Sequence, residues 1–281
     1  MGVPKDILRE NKGLSDWCIL SMYRGSIAHG MYVPKSDPNS IDDKDVMAVC
    51  VPPLEYYFGL KQYGSRGTKE IMRGEWDIVV YELKKMVSML SSGNPNVLAA
   101  LWLNDKHYMK ITEAGQLLID NRELFVGKHV YRSFTGYAHS QLKKMTQFTF
   151  EGYMGKKRKA LVEKFHYDCK NAAHLIRLLR MGIEFLVDGE LYVERHDAQQ
   201  LLAIKRGEWT LEEVKAESDR LFKQAEEVYI KSDLPKGVDT DKINELCVEV
   251  LETYFWGDTG EEDKYIKVTD CTEGAQSYER L

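Results

Sequence analysis

Arg24-Gly25-Ser26-Ile27-Ala28-His29-Gly30, followed after a gap by Ser40-Ile41-Asp42-Asp43-Lys44-Asp45-Val46-Met47-Ala48-Val49, is the stretch on which the reading of this chain turns. Trp17–Tyr23 reads as a strand running into the Gly25-Ser26 turn. Lys44–Val51 reads as a buried strand, stopped by Pro52-Pro53 because proline cannot donate to a ladder. Strand side chains alternate faces, so Asp43 and Asp45 are expected to project the same way and Asp42 to face away. Ser36-Asp37-Pro38-Asn39 has turn chemistry and separates the two motifs.

Outward from that stretch, Trp76–Val80 reads as a third short strand. Tyr81–Ser91 has helical spacing through Leu83, Met86, Val87 and Leu90, ended by Ser92-Gly93-Asn94-Pro95. In the next helix Pro95 suits the first turn and Asn94 the cap, with Asn96 a candidate to reach a cleft. After residue 105 the pattern turns mostly helical. Apolar residues recur at steps of three and four over Tyr131–Phe150, Arg158–Gly182, Asp197–Ile204, Leu211–Val228 and Thr240–Phe255. Gly155-Lys156-Lys157-Arg158-Lys159 is expected to join two of these helices. The resulting class is α+β. A small mixed-sheet α/β domain over 1–105 precedes a helical domain over 106–256 that completes a cleft, and an acidic, then polar, loosely held tail occupies 257–281.

Composition narrows the partners. At 281 residues the chain can bury a substantial core, and 43% hydrophobic with 30% charged residues is ordinary for a soluble globular protein. The longest apolar runs, such as Val46–Val51, are far short of the ~20 residues a membrane-spanning helix needs, so no membrane partner is expected. Met1–Glu10 carries Pro4 and four charges with no apolar core after them, so no signal peptide is expected. Cysteines at 18, 50, 169, 247 and 271 are odd in number and form no CxxC pair. They suggest buried free thiols, at Cys50 and Cys169 above all, and a reducing cytoplasm. A net charge of −5 means that any polynucleotide contact comes from a local patch.

Two carboxylates on one strand face repel each other unless a cation sits between them, and hard oxygen ligands at that spacing suit Mg2+. The Gly25-Ser26 turn offers backbone N–H groups and a hydroxyl that can hold the outer phosphates of an NTP. Phosphoryl and nucleotidyl transfer need such a set. A third carboxylate usually completes it, with Asp77 first and Glu75, on the same face, second. His166, Lys170, His174 and Arg177 stand at steps of four, four and three. On a helix they fall within about 80° of arc. By spacing alone, a solvated cationic face and a phosphate-binding stripe are equally good readings.

The order Gly-Ser, gap, Asp-x-Asp resembles the polymerase-β-like nucleotidyltransferase superfamily. Within it the chain is similar to the predicted RNA-ligase-associated (RlaP- or YcgL-type) nucleotidyltransferases of bacteria and phages. The resemblance runs from about residue 20 to 215. It includes Gly25–Gly30, Asp43-Lys44-Asp45, Val51-Pro52-Pro53 with Tyr56–Leu60, Asp77–Lys85, Gly93–Leu98, Tyr167–Leu179 and Leu201–Glu208. It departs at His29, where an aromatic residue, usually tyrosine, is expected, and in the Pro34–Ser40 stretch, which lengthens the gap.

The resemblance implies a palm-like catalytic sheet and transfer of an NMP from an NTP to a hydroxyl acceptor such as an RNA end. Mg2+ or Mn2+ would be held by Asp43, Asp45 and Asp77 as catalytic residues. It also implies nucleotide binding by Gly25, Ser26, Lys170, His174 and Arg177, while Asp168 points elsewhere on the helix and reads as orienting a neighbour. The rival readings are a catalytically silent nucleotide or RNA sensor on the same fold, and a structural protein whose acids only cap strands. If the acceptor is a nucleic acid, Lys156–Lys159 and then Lys143-Lys144 are the first places to expect phosphate contacts. Tyr56-Tyr57-Phe58 reads as core or a seam between domains.

Overall fold

The computed structural model describes residues 2–37, 40, 42–146, 156–257, 266–269 and 276–279, without the side chains of 156, 157 and the last two segments. Strands β1 (Cys18–Tyr23), β2 (Lys44–Cys50), β3 (Thr68–Arg73), β4 (Trp76–Glu82) and β5 (Tyr108–Ile111) form one sheet in the order β3-β4-β2-β1-β5. β2 and β4 run parallel and the other neighbours antiparallel, so the sheet is mixed.

The unbroken apolar run of β2 follows from burial on both faces. Val46, Ala48 and Cys50 pack with Ile78 and Val80 against a small core that includes Ile7 of helix α1 (Lys5–Glu10), Tyr63 and Trp76. Met47 and Val49 join Val79 in the large core under the helices. Asp45 shares the parity of Met47 and Val49, so it stands at the edge of the helix-facing side. Asp77 stands directly beside it, because the two residues are register partners across the parallel pair.

Helix α2 (Gly25–Ala28) is a single turn after β1. Helices α3 (Leu83–Ser91), α4 (Pro95–Leu98), α5 (Glu113–Asp120), α6 (Val130–Thr146), α7 (Lys156–Phe165), α8 (Cys169–Asp188), α9 (Ala198–Lys205), α10 (Leu211–Lys231) and α11 (Thr240–Trp256) follow. Asn94 caps α4 by accepting from the Asn96 amide at 3.1 Å, with Pro95 in the first turn. Strands β6 (Ile266–Thr269) and β7 (Gln276–Glu279) pair antiparallel within the stretch read as a loose tail, whose remaining residues from 258 on lie outside the described residues.

α8 is the axle of the helical part. Its apolar residues enter the large core against α6, α9 and α10. At Gly182 a Cβ would lie 2.9 Å from the Phe134 Cβ, so only glycine lets α6 and α8 approach this closely.

Three expectations are corrected here. The helix read over Arg158–Gly182 is two helices: His166 takes φ 61°, and Asp168 starts α8 by accepting from the Lys170 and Asn171 amides at 3.1 and 3.2 Å. Lys156–Lys159 is therefore the first turn of α7, not a joining loop, while Gly155 lies outside the described residues. β3 and β5 were not foreseen. β3 is an edge strand with mixed, mostly exposed side chains, and β5 is only four residues long, so neither carries a strong period.

Cys18, Cys50 and Cys169 are buried free thiols, and among the described residues no helix is long and apolar enough to cross a membrane. Tyr57 meets Phe255 of α11 edge-on at 6.3 Å, whereas Phe58, read with it as core or seam, is 84% exposed.

Asp168 is the natural test of this framework, because its buried carboxylate both caps α8 and receives Arg158 Nη2 at 2.7 Å. Asp168→Ala is expected to lose about 2–4 kcal/mol in urea unfolding, with Asp168→Asn intermediate because an amide oxygen still caps. Equal stability of all three proteins would contradict this account of where α8 begins.

Candidate active site

A cavity of ≈ 260 Å³ opens between the sheet and α8. Gly25, Ser26, Asp42, Asp45, Asn96, Lys170, His174, Arg177 and Lys205 line it together with Arg24 and His29. The β1–α2 turn supplies one wall. Gly25 has φ 61°, and a Cβ there would fall 2.2 Å from Asp45 Oδ2, so glycine is required by backbone conformation and by the nearness of the carboxylate. The Arg24 amide donates to the Asp45 carbonyl at 2.9 Å and ties the turn to the start of β2. Ser26 Oγ is buried and has no hydrogen-bond partner, as does His174 Nε2 across the cavity. Buried polar atoms are normally satisfied, so these two, with Asp42 Oδ1 a third on a residue lining the same cavity, mark a place built for a polar ligand.

α8 presents Lys170, His174 and Arg177 to this cavity along one face. His166 is not part of the stripe, since it precedes the helix. Burial, then the charge of Arg177, holds the His174 imidazole neutral, well below its ordinary pKa. Arg177 is buried and makes no ion pair among the described residues; burial, then the charge of Arg195, pushes it down to about 9. What holds it is His29. The Val193 carbonyl can only accept, so His29 Nδ1 carries the proton and donates to it at 2.8 Å, leaving Nε2 to accept from Arg177 Nη1. Burial, then the charge of Arg177, keeps His29 neutral as well. The unusual histidine of the first motif thus has a definite job, presenting an acceptor that aims a guanidinium.

The acids are distributed less evenly than strand alternation suggests. Asp45 lines the cavity, and burial raises its carboxyl to about 6 against the lowering effect of Arg24. Asp77 is 38% exposed and lies 3.2 Å from Arg24 Nη2, with Asp45 Oδ1 at 4.0 Å from the same nitrogen. Asp43 precedes β2, is 51% exposed and pairs with Lys35 Nζ at 3.1 Å. Asp42, expected to face away, is buried in the cavity wall. It accepts from the Val33 amide at 3.0 Å and Lys205 Nζ at 2.5 Å, with Lys170 Nζ 3.9 Å from its other oxygen. Alternation fails at Asp42 because it lies outside the ladder. Glu75 is committed to Lys44 Nζ at 2.6 Å, which removes it as an alternative third acid.

The donor set suits a divalent cation in kind: hard carboxylate oxygens, two of them on register partners, with Asp45 held as an anion against its burial. As they stand, the acids are turned onto Arg24 and Lys35, and among the described residues no three His, Cys, Asp or Glu side chains are gathered closely enough to hold an ion. Of the basic run, Arg158 is taken up by Asp168 and Asn171, which leaves Lys159 as its described free-standing member.

Sequence reasoning missed Arg24, Asp42 and Lys205. Arg24 was legible in principle, since it adjoins Gly25. Lys205 arrives from α9, and no local signal marks it.

No curated protein matches the chain. Residues 17–249, most of the chain, match the RlaP family, described as the RNA repair pathway DNA polymerase beta family. The cavity's Gly-Ser turn, sheet-edge acids and cationic helix all fall within that match. The chain therefore belongs to the RlaP family of polymerase-β-like nucleotidyltransferases, and this membership supports a nucleotidyltransferase-type function.

Proposed function

We propose that this protein transfers an NMP from an NTP to a hydroxyl acceptor, an RNA end being the acceptor class that the family description favours. The observation that carries the reading is the pairing, across one cavity, of the orphaned Ser26 Oγ and His174 Nε2 with a buried Arg177 that makes no ion pair among the described residues. An unpaired buried guanidinium is costly to maintain, and a polyphosphate offers it the charge-assisted, bidentate hydrogen bonds it lacks.

In this reading Ser26 and the Gly25 backbone hold the outer phosphates from one side, and Lys170, His174 and Arg177 from the other. His174 donates Nε2–H to a phosphate oxygen while remaining neutral. Asp43, Asp45 and Asp77 would hold Mg2+ or Mn2+, which would supply charge neutralisation of the triphosphate and activation of the acceptor hydroxyl. Asp77, the more exposed of the register pair, stands on the solvent side, where an acceptor hydroxyl would approach and lose its proton. Lys205 with Asp42 keeps the wall behind Asp45 rigid.

The test is to incubate the protein with each labelled NTP, Mg2+ or Mn2+ and total RNA, and to follow label transfer and pyrophosphate. Wild type is expected to label an acceptor. Asp45→Asn and Asp77→Asn are each expected to lower turnover at least ~100-fold, the scale of removing one preorganised electrostatic group. Nucleotide binding without pyrophosphate release in wild type would instead identify a silent sensor. Arg177→Gln is expected to raise the apparent NTP dissociation constant by about ten- to a hundredfold.

A second outcome concerns pH. The folded state raises the Asp45 carboxyl from 3.8 to about 6, so between those values it binds more protons than the unfolded chain. Stability contributed by this group therefore falls as pH rises through that window, and the cost is complete above it. In metal-free buffer, Asp45→Asn is expected to stabilise the fold by roughly 1–2 kcal/mol at pH 8, after allowance for partial solvent exposure, and to change little at pH 3.5. Destabilisation at pH 8 would mean that the carboxylate is held for structure.

A further inference from the structure

Arg24 occupies the notch where the two register-paired acids meet. Its Nη2 lies 3.2 Å from Asp77 Oδ1 and 4.0 Å from Asp45 Oδ1, and its Nε donates to the Val46 carbonyl at 3.3 Å. It also lines the cavity that Ser26, Lys170 and Arg177 line. One guanidinium thus has the sheet-edge acids on one side and the phosphate-binding wall on the other.

We propose that Arg24 is an internal counter-ion that keeps the Asp45–Asp77 pair closed to a bare divalent cation and releases it when a triphosphate enters. This rests on the nucleotidyl-transfer reading above and adds an order to it. A guanidinium and a divalent cation need the same carboxylate oxygens and repel each other at that range, so one must leave for the other to bind. Metal alone offers the displaced guanidinium nothing. A triphosphate does, because it presents paired oxygens that match the guanidinium fork.

The backbone stays in place during such an exchange. The Arg24 amide is held by the Asp45 carbonyl at 2.9 Å, and Gly25 is locked beside Asp45 by its close approach, so only side-chain torsions change. Lys35 on Asp43 does not have the same role, because that pair is about half exposed on both sides and is readily replaced by water.

Metal and nucleotide binding are then positively coupled, and the coupling is reciprocal. A protein that takes metal only with triphosphate keeps its acids neutralised at rest without leaving a chelating site open to adventitious ions. The acceptor-side acid, Asp77, is also the one Arg24 approaches most closely, so acceptor activation is withheld until the donor nucleotide is seated.

The experiment is calorimetric titration of the full chain with Mn2+ alone, and of NTP binding with and without Mn2+, for wild type, Arg24→Gln and Arg24→Lys. Circular dichroism and thermal unfolding first establish that each variant is folded. Wild type is expected to bind Mn2+ alone weakly, and Arg24→Gln about two- to fivefold more tightly, the scale of one partly exposed ion pair. Arg24→Lys keeps the charge but not the fork, and should fall between them. In wild type, Mn2+ should tighten binding of the preferred NTP among ATP, GTP, CTP and UTP by more than it does in Arg24→Gln. If wild type binds Mn2+ with an NTP but Arg24→Gln takes Mn2+ alone no more tightly, the counter-ion role is wrong and the nucleotidyl-transfer reading survives. If no protein binds Mn2+ under any condition, both fall.

Discussion

Lys205 Nζ and Asp42 Oδ2 meet 2.5 Å apart in the cavity wall, so each of these buried charged groups has a partner of opposite sign. Burial pulls the Lys205 ammonium down and the Asp42 charge pulls it back. The same constraint governs every ionised group in the cleft: a charge placed in a half-closed cavity must find a partner, a neutral acceptor or a ligand. Asp42 finds Lys205. Asp45 and Asp77 find Arg24. Among the described residues Arg177 finds only the neutral imidazole of His29 and the sulfur of Met181, which leaves it much to gain from an anion.

That distribution depends on where α8 lies, and its position is set far from the chemistry. Asp168 starts the helix and Arg158 braces the cap, while Gly182 lets α6 come close enough to hold it. At the far end of the cleft Arg195, buried between Glu184 and Asp197, ties α8 to the start of α9, so that Lys205 arrives opposite Asp42. A buried ion pair of this kind adds little net stability, but breaking it is costly, and it fixes one relative placement of the two helices.

Asp45, which lines the cavity, is maintained against the preference of the fold. Asp45 is held beside a glycine with no room for a Cβ, on a strand whose later residues are wholly apolar, and its carboxyl is raised accordingly. Local disagreement of this sort is characteristic of functional sites, where a sequence accepts a less stable arrangement to keep a reactive group poised.

Sequence alone determined the mixed α+β class, the Gly25-Ser26 turn, strand β2, the Asn94 cap and the helical character after residue 105, because each rests on local rules: turn chemistry, alternation, capping and the 3.6-residue period. It also placed Asp45, Lys170, His174 and Arg177, which the fold brings round one cavity. Tertiary structure decided the rest. A break at His166 depends on which turn Asp168 caps, and β3 is a strand chiefly because β4 is there to pair with it. The inward turn of Asp42 toward Lys205, the grip of His29 on Arg177 and the position of Arg24 between two acids are contacts between residues distant in the chain or outside regular ladders. Their geometry is fixed by the balance of charge and burial in the assembled cleft, and no local period encodes that balance.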